Sequence, residues 1–113
     1  MARRAGAAAT AAVFAALGDE TRLAVVSSLK PGEPQSITHL TGETKLTRQA
    51  MTKHLRVLEG AGLVTSRRVG RESLFELRPR AVNDAADYLA RVSRRWDDAL
   101  ERLRAFVEDP DRP

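Results

Sequence analysis

Thr47–Gly62, reading TRQAMTKHLRVLEGAG, is the stretch that decides the fold. Met51, Leu55 and Leu58 recur at i, i+4 and i+7, which sets them on one stripe of a helix. With Met51 at the centre of that stripe and about 100° per residue, Gln49, Thr52, Lys53 and Arg56 fall on the far side. Arg48 lies close to them at the helix start, and no carboxylate interrupts this outer surface before Glu59. Arg pairs with guanine and Gln with adenine through bidentate hydrogen bonds, and Thr adapts to either, so these side chains are of the types that read base edges. An amphipathic surface helix with a solvated polar face has the same pattern, and the helix alone does not separate the two readings.

The residues that follow weight the first reading. Gly60 and Gly62 can accommodate a helix cap and turn. Leu63–Val69 (LVTSRRV) reads as a strand, Gly70-Arg71 as a turn and Glu72–Arg78 (ESLFELR) as a returning strand. Phe75 and Leu77 alternate with Glu76 and Arg78, which gives the hairpin one buried and one wet face. Arg67, Arg68 and Arg71 cluster at its tip. A basic hairpin directly after a candidate recognition helix is the wing of a winged helix-turn-helix, in which the helix enters the major groove and the tip meets adjacent backbone or minor groove.

The placement of charge agrees. Lys45–Arg80 holds nine Lys/Arg against three Glu, and the rest of the chain holds ten Lys/Arg against twelve Asp/Glu, so the net +4 arises from +6 on helix and wing and −2 elsewhere. Such segregation is the footprint of a phosphate-binding face. At 113 residues the chain reads as one domain over 1–113, small enough to benefit from a partner. The absence of cysteine excludes disulfides and thiolate chemistry and suits a reducing cytoplasm. No apolar run has the length of a membrane span. The opening MARRAGAAATAAVFAAL has the arginine pair and apolar run of a signal peptide, but alanine is weakly hydrophobic and the run leads into core positions. It is read as a first helix presenting Val13, Phe14 and Leu17 on one side.

Asp19 can cap a second helix, Glu20 to about Lys30, with Leu23, Val26 and Leu29 as its buried positions. Lys30-Pro-Gly-Glu-Pro ends it. Ser36 can cap a third, short helix carrying Ile37 and Leu40, and Gly42–Lys45 separates this from the helix beginning at Thr47. After Pro79, Val82, Ala85, Leu89, Val92, Trp96, Ala99, Leu103 and Phe106 alternate steps of three and four for over three heptads. A helix of that length runs roughly 40 Å, more than one small winged domain covers. The seam therefore calls for a second surface, most simply the same helix of a second subunit about a two-fold axis, with Trp96 as main anchor.

Taken together, LGDETRLAVVSSL at 17–29, MTKHLRVLEGAGLV at 51–64 and RRVGRESLFEL at 67–77 resemble the ArsR/SmtB-type bacterial winged-helix repressors, over about Val13 to Val107. The resemblance implies a mainly α, winged helix-turn-helix fold of order α-α-α-α-β-β-α, with helices and wing over 8–78 and a long C-terminal dimerisation helix over 79–108. It implies a homodimeric, cytoplasmic transcriptional repressor that binds double-stranded DNA. The positions matching the family's DNA-reading set are Thr47, Arg48, Gln49, Thr52, Lys53 and His54, to which the helix pattern adds Arg56 and the wing adds Arg67, Arg68 and Arg71. The dimerisation set is Phe14, Leu89, Val92, Trp96, Leu103 and Phe106. Metal-sensing members carry cysteines before the recognition helix or paired ligands on the last helix. Here cysteine is absent and the last helix has no histidine, so the chain resembles the non-metal branch, and neither metal nor cofactor is expected. Lys45 and Thr44 depart from the glycine and apolar residue common at the turn, which leaves its geometry open. A small-molecule inducer remains unnamed by the sequence.

No Ser-His-Asp set, phosphate loop or HExxH is present, and Asp84, Asp87, Asp97 and Asp98 lie among arginines on one helix, a solvated charged face. The sequence is not that of an enzyme. The alternative reading is a winged helix that binds protein instead of DNA; it would put apolar groups on the outer face of residues 48–56, which the sequence shows as basic and free of apolar residues.

Overall fold

The computed structural model describes residues 2–108; residue 1 and residues 109–113, the ends of the expected 1–113 span, lie outside the described residues. The order is α1 (Ala2–Leu17), α2 (Glu20–Ser28), β1 (Gln35–Ser36), α3 (Ile37–Gly42), α4 (Arg48–Gly60), β2 (Val64–Val69), β3 (Glu72–Leu77) and α5 (Pro79–Glu108). This is the mainly α, winged arrangement expected, with one addition. The two residues of β1 pair with β3 and extend the hairpin to a three-stranded antiparallel sheet of order β1-β3-β2. A two-residue strand carries no alternation to read, so the sequence pattern held no sign of it.

Two helix starts are capped by the side chains expected, and Thr47, expected only to stand at the start of its helix, caps a third. Asp19 Oδ2 accepts from the Arg22 N–H at 3.0 Å, Ser36 Oγ from the His39 N–H at 3.0 Å, and Thr47 Oγ1 from the Ala50 N–H at 3.1 Å. In the break between α3 and α4, Thr44 supplies the turn: its hydroxyl donates to the Thr41 carbonyl and accepts from the Leu46 N–H. The hydroxyl is what an apolar residue at this position would lack.

The core is one cluster that draws on every helix and on the hairpin. Met51, Leu55 and Leu58 of α4 meet Leu63, Val64 and Phe75 at its centre, with Val13, Ala16, Val25, Leu29, Ile37, Leu40 and Ala85 around them. In α2 the expected register is off by two at its start. Leu23 is 50% exposed, and Val25 is the buried residue, with Val26 half-buried and Leu29 buried. The helix stops at Ser28, so Leu29 enters the core from an extended C-cap, and fewer turns are available to span the stripe.

Gly62 closes α4 in the left-handed region, at φ +81°. Its N–H donates to the Glu59 carbonyl and the N–H of Leu63 to the Leu58 carbonyl, both at 3.0 Å, the paired bonds of a Schellman cap. Leu58 and Leu63, joined by that cap, are both fully buried. At the wing tip Gly70 alone has positive φ, +62°, between the paired Val69 and Glu72, the pattern of a two-residue type II′ loop.

The two glycines around the end of α4 should respond oppositely to alanine. An added methyl meets nothing within 4 Å at either. Gly62→Ala is expected to cost about 1–2 kcal/mol through left-handed strain, whereas helical Gly60→Ala should gain about 0.5–1 kcal/mol. Urea midpoints of the two variants moving the same way would refute the cap assignment.

Candidate nucleic-acid interface

The stripe that buries Met51, Leu55 and Leu58 turns the opposite side of α4 to solvent. Gln49 and Lys53 are exposed there, and neither makes an ion pair or side-chain hydrogen bond among the described residues. Arg48 is exposed, and its Nη1 donates to the hydroxyl of Thr38 on α3 at 3.0 Å, so it also braces the two helices of the unit. Thr52 is half-buried and its hydroxyl donates to the Arg48 carbonyl at 2.8 Å, leaving the oxygen lone pairs to accept. Thr47 sits at the helix start as its cap.

Three positions differ from the sequence expectation. His54 is not on the outer face: it is half-buried, with Nδ1 3.5 Å from Arg22 Nη1 and 3.8 Å from Asp19 Oδ2, against the start of α2. Its step of three from Met51 puts it about 60° from the buried centre, on the packed flank of the helix. Val57, 43% exposed, lies on the outer half, so that side of the helix is not free of apolar residues. Its step of six from Met51 puts it about 120° from the buried centre, a direction the stripe pattern does not claim. Arg67 and Arg68 lie on opposite faces of the hairpin, as adjacent strand residues must. Arg68 opposite Ser73 shares the face of Phe75, while Arg67 opposite Leu74 lines a shallow groove with Glu76 and Arg78. Arg67 and Arg68 therefore do not form one cluster, and Arg67, Arg68 and Arg71 are all exposed.

Arg56 is exposed but not free. It makes a 2.7 Å ion pair with Glu59, whose second carboxylate oxygen accepts from the hydroxyl of Ser66 on β2. That carboxylate ties the last turn of α4 to the base of the wing. The Ser66 hydroxyl and the Arg56 guanidinium hold its titration below the ordinary glutamate range.

On α5, Ala85 is buried and Val82 and Val92 half-buried, while Leu89, Trp96, Leu103 and Phe106 lie open. Trp96 is 65% exposed. The heptad reading omitted Leu100 and Val107, which are exposed beside this seam and widen it, because a strict three-four count passes over them. Phe14 is engaged within the chain, its ring centroid 6.0 Å from that of Tyr88 at 58°. Between α1 and α5 runs a groove of about 1110 Å³ lined by Val13, Ala61, Tyr88, Asp84, Arg78 and Arg91 among others. No described helix is long and apolar enough to cross a membrane.

A helix-turn-helix domain family model matches residues 17–67. The chain is 44% identical over 66 residues to the uncharacterized HTH-type transcriptional regulator YuzN of Bacillus subtilis (strain 168), a match covering 53% of this chain and 72% of that one. Among solved structures it is similar to an ArsR-like transcriptional regulator from Rhodococcus sp. RHA1, with 37% identity and a TM-score of 0.75, covering 88% of this chain and 92% of the other. It is also similar to the homodimeric winged helix-turn-helix DNA-binding domain Mb0332 of Mycobacterium bovis, with 25% identity and a TM-score of 0.61, covering 88% and 89% of the two chains.

The link from Glu59 to the wing sets an acid dependence. A carboxylate with a depressed folded-state pKa stabilises the fold above the ordinary glutamate range, and that contribution is lost as pH falls through the folded value. Glu59→Gln should cost about 1 kcal/mol at neutral pH and lose less on acidification than the parent. Urea unfolding at neutral and acid pH measures both, and parallel acid losses in parent and variant would refute the link.

Proposed function

Because the chain belongs to the ArsR family of winged helix-turn-helix transcriptional regulators, we propose that it acts as a homodimeric repressor that reads an inverted-repeat operator through α4. The observation that carries this reading is the exposed polar face of α4, where Gln49 and Lys53, unpaired among the described residues, stand with Arg48 and Thr52, and the exposed arginines of the wing follow in the chain. Gln49 and Arg48, in the first turns, read base edges; Lys53 and the wing residues Arg68 and Arg71 meet phosphates or a narrow minor groove. Arg56 approaches the backbone with its charge partly offset by Glu59.

The dimer follows from the open stripe on α5. Leu89, Trp96, Leu100, Leu103, Phe106 and Val107 are all exposed along one helix, and an exposed apolar stripe of this kind marks an interaction surface. Pairing of α5 with its two-fold mate covers it, and the homodimeric Mb0332 domain of the same fold supports a homodimer. Regulation by an organic inducer fits this chain better than regulation by metal, since zinc sites use about four N, S or O ligands and the chain has no cysteine and only His39 and His54.

Val57 is the one feature that favours protein docking over DNA, although an aliphatic group can equally touch a thymine methyl. Salt dependence discriminates. Gln49→Ala should cost about 1–3 kcal/mol on the preferred operator and flatten discrimination at one or two base pairs. Arg71→Ala should weaken all sequences alike and lower the slope of log affinity against log salt by about 0.9 for each phosphate no longer neutralised, and a dimer carries the substitution in both subunits. Operator titrations at several salt concentrations measure both. If both variants bind as the parent does with an unchanged slope, the groove assignment fails.

The dimer assignment has its own test. Replacing Leu89 and Leu103 by Asp brings unpaired charges into the apolar seam and should leave a monomer. Sedimentation of that double variant as an intact dimer at micromolar concentration would refute the α5 pairing.

A further inference from the structure

Arg22, in the first turn of α2, is held from three directions. Its Nε donates to the Ala16 carbonyl at 2.7 Å and its Nη2 to the Ala15 carbonyl at 3.5 Å, in the last turn of α1. Those carbonyls sit at the negative end of the helix dipole, where a cation is favoured, and the Ala15 carbonyl also accepts from the Gly18 N–H at 3.2 Å. The Arg22 N–H donates to the Asp19 cap. The remaining nitrogen, Nη1, lies 3.5 Å from Nδ1 of His54, in the middle of α4.

The recognition helix, which packs on α1 and α2 through the core, is thus also joined to the α1–α2 corner by a polar contact at one imidazole nitrogen, whose partner depends on its proton. A bare Nδ1, with the ring proton on Nε2, accepts from Arg22. A protonated Nδ1 faces a guanidinium at the same distance and is repelled by it, while Asp19 Oδ2, 3.8 Å away, offers the opposite charge. Among the described residues the charged side chains that make a hydrogen bond or ion pair with the ring are these two, Arg22 of α2 and its cap Asp19. From α1 the Ala15 and Ala16 carbonyls face Arg22, and no hydrogen bond or ion pair reaches the ring from α3 or β2 among the described residues.

We propose that Arg22 and His54 form a clasp that sets the attitude of the recognition helix against the α1–α2 corner, with Arg22 the positioning residue, and that protonation of His54 opens it. The functional half rests on the reading of α4 as the DNA-contacting helix; the structural half does not. Operator binding therefore weakens on mild acidification, the opposite of what an imidazolium touching phosphate would do.

Two measurements test it. Operator affinity is titrated at fixed salt from about pH 8 to about pH 5.5, the range in which histidine changes charge. In the parent, log affinity should fall toward low pH with a slope approaching about one per pH unit per subunit, the linkage of one proton. His54→Gln keeps an acceptor for Arg22 but cannot titrate, and should remove that slope. Affinity that rises on acidification, or an unchanged slope in His54→Gln, would overturn the clasp. The second measurement needs no DNA. Nitrogen-15 spectra of the free protein should show neutral His54 carrying its proton on Nε2, a preference that weakens in Arg22→Ala. A proton on Nδ1, or a preference indifferent to that substitution, overturns the clasp even if the operator reading stands. If no DNA fragment binds at any pH, the operator reading fails, and the spectra still decide the clasp.

Discussion

Met51, Leu55 and Leu58 are sealed from solvent, and they share that burial with Leu63, Val64 and Phe75 of the hairpin. Each such side chain is worth about 1.5–3 kcal/mol when fully buried. A helix of 13 residues, the length of α4, is marginal alone, so its persistence comes from this stripe. The opposite side is then free to be chosen for recognition, since Gln49 and Lys53 contribute little to the core. The same packing fixes where the polar face points. The Schellman cap at Gly62 and the Glu59–Ser66 bond carry that orientation into the wing, so helix and hairpin are joined by backbone and side-chain bonds.

Much of this was legible because periodicity and caps are local signals. The α4 stripe, the caps at Asp19 and Ser36, the hairpin and the seam of α5 all follow from residues within a few turns of one another. What escaped depends on distant partners. Leu23 matches the apolar spacing of α2 as well as Val25 does, and only the packing of that helix on α1 and α4 decides which is buried. His54 fits a recognition helix by type; its place against Arg22, 32 residues away in sequence, is visible only once α2 is folded onto α4. Arg67 and Arg68 read as one basic cluster along the chain, yet strand geometry sends them to opposite faces. The candidate site was thus legible as a set of residue types more than as an arrangement.

The polar groups of the outer surface are held unequally, and the difference is informative. Arg56 has a carboxylate at 2.7 Å and Arg48 a hydroxyl on the neighbouring helix, so both are tethered. Gln49 and Lys53 are not. Tethered arginines lose less conformational entropy when they meet a rigid surface, while untethered side chains can adapt to what they meet. The face therefore combines fixed and adaptable groups within three turns of helix. A neutral, fully paired surface would have neither the long-range attraction for phosphate nor the free donors for base edges.

The long helix poses the complementary problem. Thirty residues at 1.5 Å rise give α5 a length of about 45 Å, whereas the structure is 36 Å and 21 Å across its two shorter axes. Ala85 is its single buried residue among those described. The half beyond Val92 outruns the packing surface that α1 provides, so its apolar stripe cannot be covered from within the described chain. In the proposed dimer this stripe meets its own copy, and α1 stands between the two ends of the molecule's work. Along its side Phe14 packs on Tyr88 of α5, and at its C-terminus the carbonyls of Ala15 and Ala16 hold Arg22. A shift of α5 against α1 would move the anchor of the clasp, and with it the helix proposed to enter the groove.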